Sequence, residues 1–176
     1  MQYWSVARTD TFDLAGLRLH AGEGRRLDLE VELDPLELAS QRYAPRPPLV
    51  PVKLEASRTN GGGWALHLRF EASVAGPCMR CLADAAPTVA VDAREVDLPG
   101  GGDELDSPYV DHDRLDLRAW AHDALALALP DQIVCDEGCL GLCPVCAVPL
   151  REAGPDHRHE REPDPRWAKL AELHLE

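Results

Sequence analysis

Four of the chain's six cysteines fall between Cys135 and Cys146, in the run C-D-E-G-C-L-G-L-C-P-V-C. Cys78 and Cys81 form a C-M-R-C pair upstream, and His157 and His159 follow downstream. Thiolate and imidazole together suit zinc, which takes four such donors in a tetrahedron and has no d-electron preference for another shape. The eight candidate ligands, Cys78, Cys81, Cys135, Cys139, Cys143, Cys146, His157 and His159, are enough for two such sites. Two partitions fit the spacing. In one, Cys78 and Cys81 join Cys135 and Cys139, while Cys143 and Cys146 join His157 and His159. In the other, the four clustered cysteines share one ion, and Cys78, Cys81, His157 and His159 share the second. A C-x-x-C pair supplies two ligands from one turn and needs two more, which favours the first. His157 and His159 lie among Asp, Glu and Arg, where a solvated segment is the ordinary reading; the unfilled C-x-x-C pair is what argues for them as ligands. Four protein donors leave no open position for water, so both sites read as structural rather than catalytic.

The elements around these residues must place them. Leu27, Leu29, Val31 and Leu33 alternate with acidic residues, the period of a half-buried strand. Val50, Val52, Leu54 and Ala56 alternate again. Asn60-Gly61-Gly62-Gly63 turns the chain, and Trp64 to Val74 alternates on the return, a hairpin signature. No Lys-Ser/Thr and no helix follow these glycines, so they are not a phosphate loop. Gly76-Pro77 leads into Cys78. Val89, Val91 and Ala93 alternate after Cys81, and the apolar parity then shifts to Val96 and Leu98, which predicts a bulge near Arg94-Glu95. Cys78 and Cys81 thus fall on the turn between two antiparallel strands, a zinc-knuckle position; a redox C-x-x-C belongs beside a βαβ pattern, which is absent.

Phe12, Leu14, Leu17 and Leu19 suggest a short strand or entry segment, and Pro35 to Tyr43 a short helix ended by prolines. Nine acidic residues and two arginines lie between Asp92 and Asp116, which reads as a solvated loop. The helical period is clearest from Leu115 to Leu129, with Asp113 or Asp116 as cap and Pro130 as terminator. His122-Asp123 on this helix has no nucleophile nearby and reads as surface. A charged loop from Pro149 to Pro163 precedes a last short helix opened by Asp164-Pro165. No internal repeat stands out. The fold class expected is α+β: a curved antiparallel β-sheet or partly open barrel, one long packed helix and zinc knuckles. Residues 1-134 form the β-rich core, and residues 135-176 the cysteine-rich knuckle segment with its short helix.

The chain has 176 residues with 18 basic and 31 acidic side chains, a net charge of −13. That balance argues against a general grip on nucleic acid phosphates and suits solubility or a basic partner. No basic region followed by an apolar run opens the sequence, and no apolar stretch reaches the roughly 18 residues of a membrane span. Reducing cytoplasm is the expected compartment, where clustered cysteines are metal ligands rather than disulfides. No triad and no His-Glu-x-x-His helix points to an enzyme.

The order of these features resembles a known family. C-x-R-C-L follows a strand, an acidic loop leads to a helix beginning L-D-L and ending L-A-L-P, C-x-x-x-C-x-G-L-C-P-x-C comes next, and D-P-R opens a hydrophobic segment. This looks like the bacterial YceD family, the large ribosomal RNA subunit accumulation proteins. The likeness runs from about Leu54 onward and is most specific at 78–82, 116–130, 139–146 and 164–166. It implies a non-enzymatic role in accumulation or processing of the 23S ribosomal RNA precursor and in large-subunit assembly. The partner would be that RNA, met locally by Arg80, Arg158, Arg161 and Arg166, or a basic ribosomal protein. A structural zinc scaffold is the alternative reading, and a thiol redox enzyme is the less favoured one. Where the family has C-P-x-C-G and then C-x-C, this chain has Ala147 and then His157-x-His159. Histidine keeps a zinc donor there, whereas Ala147 removes a glycine expected just past the knuckle.

Overall fold

Alternating apolar residues force one face of each segment inward, and antiparallel pairing is the way short-looped neighbours satisfy their backbone. The structure, a computed structural model, describes residues 9–102 and 105–159. In chain order its elements are β1 (Thr11–Asp13), a single 3-10 turn (Ala15–Leu17), β2 (Gly24–Glu32), β3 (Leu36–Leu38), β4 (Gln41–Arg46), β5 (Leu49–Arg58), β6 (Trp64–Pro77), β7 (Asp84–Ala85), β8 (Thr88–Asp97), β9 (Val110–Asp111), β10 (Arg114–Asp116), α1 (Leu117–Ala128) and α2 (Leu150–Ala153).

The main sheet is built on β6. Its first part pairs with β5 on one side, its later part with β4 on that same side, and β8 runs along the other side. β2 pairs with β5, β3 with β4, and β7 with the end of β6. Every pairing is antiparallel, and among the described residues the sheet does not close into a barrel. A second small sheet orders β1-β10-β9. The expected α+β architecture is present in this form: a mostly antiparallel, open sheet and one long helix.

The alternation read from the sequence sets the faces. Val31, Val50, Val52, Leu54, Trp64, Leu68 and Val91 point inward and are buried. α1 adds Leu117, Trp120, Ala121, Ala124 and Leu125 to that core, the i, i+3, i+4 stripe of an amphipathic helix. It packs against β8 and reaches β2. Each fully buried large apolar side chain stabilises by about 2 kcal/mol relative to exposure. The outward face carries a charge ladder in which Arg26 meets Glu55 at 3.0 Å, His67 meets Asp92 at 2.8 Å and Arg94 meets Asp92 at 3.3 Å.

Five expectations are corrected. Residues Pro35 to Tyr43 are not helical: Leu36 pairs with Tyr43 and Leu38 with Gln41, across a two-residue turn in which Ala39 and Ser40 both have positive φ. There is no bulge at Arg94-Glu95, because the β6–β8 register runs unbroken from Trp64↔Asp97 to Ser73↔Thr88. The apolar shift instead reflects an inward Asp97, 8% exposed, that accepts a hydrogen bond from Ser107 N–H at 3.4 Å, while Val96 turns outward, 45% exposed. The helix starts at Leu117; Leu115 belongs to β10 opposite Phe12, and Asp116 caps by accepting from Ala119 N–H at 2.9 Å. The acidic stretch does more than face solvent. Asp113 accepts from Trp64 Nε1 at 2.6 Å and from Arg58 at 2.8 Å, and the Arg58 guanidinium lies 4.6 Å from the Trp64 ring centre. Residues 150–153 of the expected loop form the short helix α2. The helix expected after Asp164 lies outside the described residues.

Candidate metal centres

β6 delivers the first donors. Its last turn is shaped by Tyr43, a buried ring whose hydroxyl donates to the Pro77 carbonyl at 2.9 Å. Gly76 makes room for that ring, since a Cβ there would sit 2.3 Å from it. Just beyond, Cys78 N–H donates to the Ala83 carbonyl at 2.7 Å, and Leu82 N–H donates to the Cys78 carbonyl at 3.0 Å. Leu82 takes a left-handed φ of 62°, and Asp84–Ala85 then pairs back onto Gly76–Pro77. This is a knuckle: a tight turn that turns two thiols to the same side.

The second C-x-x-C pair repeats it bond for bond. Cys143 N–H donates to the Val148 carbonyl at 2.8 Å, and Ala147 N–H to the Cys143 carbonyl at 2.8 Å. Ala147 has φ 57°. Cys78–Leu82 and Cys143–Ala147 are thus one motif used twice, an internal repeat the sequence did not announce. Leu82 and Ala147 occupy the same position in it, and neither is glycine. Ala147 therefore keeps the turn that the missing glycine put in question.

The other donors come from the segment after α1. Met79 N–H donates to the Ile133 carbonyl at 2.8 Å, and the buried Ile133 anchors that stretch to the core. Gly138 N–H bonds the Asp136 carboxylate at 2.7 Å and Cys139 N–H the Asp136 carbonyl at 3.0 Å. Cys135 and Cys139 are thereby brought onto the first knuckle. Arg80 ties the two segments, donating to Gln132 Oε1 at 2.8 Å and to the Cys139 carbonyl at 3.2 Å. Gly141, at φ 78°, passes close to the Arg80 carbonyl between the two groups.

The eight residues gather as two sets of four: Cys78, Cys81, Cys135 and Cys139, and Cys143, Cys146, His157 and His159. This is the first of the two partitions. Within each set the donor atoms all lie within 4.8 Å of one another. Cys78 and Cys139 sulfurs are 3.8 Å apart and Cys81 and Cys135 sulfurs 3.6 Å, too far for disulfides. Cys146 Sγ stands 3.5 Å from His157 Nε2, which is 3.0 Å from His159 Nε2. A tetrahedron with metal–sulfur bonds of about 2.3 Å has sulfur–sulfur edges of about 3.8 Å, and mixed sulfur–nitrogen edges of about 3.5 Å. Both sets could hold a metal ion of that size.

The electrostatics point the same way. Burial raises the Cys78 thiol, but the N–H groups of Arg80, Cys135 and Cys81 outweigh it and bring it down to about 6. Arg80 N–H lies 3.4 Å from that sulfur. Cys135 is pushed up to about 12, first by the adjacent Cys81 thiol and then by burial. Cys81 feels a lowering from the Ala83 backbone, yet burial and the Cys139 and Cys78 thiols carry it upward. In the other set the Cys146 N–H and the His157 ring lower Cys143 to about 6. Thiols this crowded cannot all ionise without a cation among them. In the first set Cys78 and Cys139 are buried; in the second only Cys143 is, with Cys146 and His159 exposed.

His122 and Asp123 sit on the outer side of α1, 3.2 Å apart, remote from either set in their contacts. Arg158 is exposed, Arg151 lies 3.5 Å from Asp136, and Arg161 and Arg166 lie outside the described residues.

An open antiparallel sheet, one long helix and two copies of a two-thiol knuckle, each gathered with two further donors into a set of four, define the class: a sheet protein with two metal-competent knuckle centres. The chain belongs to the YceD family. The family model described as "Large ribosomal RNA subunit accumulation protein YceD" matches residues 66–174, a stretch that contains all eight donors. That family is named for accumulation of a ribosomal subunit RNA, not for a reaction. The chain is also similar to an uncharacterized protein of Mycobacterium bovis and to uncharacterized proteins of two Mycobacterium tuberculosis strains. Each is 40% identical over 108 residues, covering 58% of this chain and 51% of the relative. The chain spans about half the length of these curated relatives. No solved structure matches it. Among the described residues no helix is long and apolar enough to cross a membrane.

Proposed function

We propose that this protein is a non-enzymatic, zinc-stabilised factor in ribosome biogenesis that supports 23S ribosomal RNA accumulation or processing and large-subunit assembly. The observation that carries the reading is the pair of four-donor sets inside a stretch matching a family named for large ribosomal RNA subunit accumulation. Zinc is the proposed ion because thiolate and imidazole in tetrahedral array are its preferred shell, and such closed sites brace a fold rather than activate water. Cys78, Cys81, Cys135 and Cys139 would hold one ion; Cys143, Cys146, His157 and His159 would hold the other. In this reading residues 1–134 are the sheet-and-helix body, with the sheet curved enough for α1 to touch both β2 and β8, and residues 135–176 are the segment that metal fastens to it. The protein works in the cytoplasm, on large-subunit precursor RNA or a basic ribosomal protein.

A net charge of −13 opposes broad RNA binding. Contact with RNA is therefore local, and Arg158 is its best described candidate, exposed and without an ion pair among the described residues. Arg80 has a structural part as well, because it bridges Gln132 and Cys139. Depleting the protein in growing cells tests the reading. Mature 23S RNA and large subunits should fall while small subunits hold; equal loss of both, or loss of neither, would leave a structural zinc scaffold as the better account.

A further inference from the structure

β8 is ten residues long and, among the described residues, pairs with β6 alone. Val74 N–H donates to the Pro87 carbonyl at 3.0 Å, which sets the phase of the β6–β8 ladder. Ala72↔Val89, Phe70↔Val91, Leu68↔Ala93 and Leu66↔Glu95 follow in register, and alternation makes these the pairs that exchange backbone bonds. The N–H and C=O groups of Ala90, Asp92, Arg94 and Val96 consequently point away from β6. The same logic holds at the opposite edge. Arg58 N–H donates to the Glu23 carbonyl, so Glu30 faces outward from β2, and there Thr9 N–H takes the Glu30 carbonyl at 2.7 Å. That edge has a backbone partner at Glu30. Along β8 no backbone partner meets these outward groups among the described residues.

Beside this bare edge lies a groove of about 340 Å³ between β8 and α1. Trp120 and Ala124 floor it, and Tyr109 and Leu127 wall it. Leu127 is 88% exposed, the most exposed large apolar residue described. Glu95 and Asp123 both lie near Tyr109, whose hydroxyl donates to Asp123 at 3.0 Å. Glu95 has no ion pair among the described residues. An unpaired strand edge next to an apolar helix groove is the geometry in which extended peptides add as a further strand.

We propose that the free edge of β8 docks an extended, basic segment of a partner protein. The segment's backbone pairs with Ala90, Asp92, Arg94 and Val96, its alternate apolar side chains lie over Trp120, Ala124 and Leu127, and a Lys or Arg meets Glu95 and Asp123. A second copy of the chain is disfavoured as occupant, because two molecules of charge −13 repel each other. The docking site does not depend on the large-subunit reading, and it names the kind of protein partner that reading would use.

Amide hydrogen exchange on the metal-loaded chain tests it, with a capped octapeptide as probe in which Thr alternates with three Val and one Lys, so that Val and Lys share the face toward α1; this Val-Lys peptide is compared with a Val-Glu peptide that has Glu in place of the Lys. The Val-Lys peptide should slow exchange at Ala90, Asp92, Arg94 and Val96 by about tenfold or more, as newly bonded edge amides do. Val89, Val91 and Ala93, already bonded to β6, should change little, and the Val-Glu peptide should do nothing. Leu127→Glu, at a solvent-exposed position that leaves the core intact, should abolish the slowing. Ala90→Pro, which removes an outward N–H and is tolerated on an edge strand, should do the same. No slowing by the Val-Lys peptide overturns the proposal, as does undiminished slowing in Leu127→Glu. Slowing that grows with protein concentration and needs no peptide would assign the edge to a second copy instead. None of these outcomes bears on whether depletion lowers large subunits.

Discussion

Leu82 and Ala147 occupy equivalent places just past a C-x-x-C turn, with φ 62° and 57°. A left-handed backbone costs a non-glycine residue about 1 kcal/mol. Ala147→Gly should therefore stabilise the second knuckle by roughly that amount and slow metal loss to a chelator, read by thermal melting and a colorimetric metal assay. Leu82→Gly should act similarly on the first knuckle, since its side chain is 64% exposed and holds no core together. A fall in melting temperature in both variants would mean that the side chains, not the backbone, set these turns. Asp113 offers a different residue-scale test. The Trp64 indole and the Arg58 guanidinium bond its carboxylate and hold its pKa below the ordinary range. A depressed carboxylate stabilises fully above its unfolded pKa, and that contribution is lost as pH falls through the folded value. Asp113→Ala should thus destabilise at neutral pH, by about 1 kcal/mol because the site is partly exposed. The deficit should shrink as pH falls below the unfolded aspartate value of about 3.9, measured by urea melts across pH.

At the scale of elements, what the sequence revealed depended on how local the cause was. The β5–β6 hairpin was legible because Asn60-Gly61 and the period of two announce it within one window. The Leu117–Ala128 helix was legible from its apolar stripe. The β3–β4 hairpin was not, because Ala39-Ser40 is a turn without turn residues and its flanks, Leu36-Glu37-Leu38 and Gln41-Arg42, favour helix; burial of Leu36 and Tyr43 in the sheet decides against that preference. Replacing Ala39-Ser40 by Asn-Gly should stabilise the fold by about 1 kcal/mol, seen as a higher denaturant midpoint with unchanged slope. The inward Asp97 was likewise hidden, since its partner Ser107 lies ten residues on, in the irregular loop after β8. For the metal sets, spacing named all eight donors but left their pairing open. The pairing emerges from Ile133 holding the post-helix segment against Met79, a contact across more than fifty residues of sequence. Purified without chelator, the protein should carry about two zinc ions per chain. Cys81→Ser should lose one and keep the other. A chelator titration should empty the exposed histidine-containing set before the buried one, and simultaneous loss of both ions from Cys81→Ser would point to a shared, coupled site.

At the scale of the whole molecule, an open sheet, two four-donor sets that could hold metal and a net charge of −13 must be reconciled with the proposed role beside ribosomal RNA. The acidity makes sense if the protein meets RNA at few points and is otherwise kept from it, so that it leaves as the subunit matures. Substituting Arg158 by Glu should weaken association with precursor particles without changing metal content, since Arg158 is no ligand, whereas Arg80→Glu should disturb both by freeing the Cys139 carbonyl. The most direct measurement is sedimentation of the tagged, metal-loaded protein through a sucrose gradient from growing cells, with RNA and metal followed in each fraction. The account expects it to travel with large-subunit precursors that contain immature 23S RNA, and to leave those fractions when zinc is stripped. Wild-type protein remaining at the top of the gradient, apart from every ribosomal particle and precursor RNA, would contradict the account.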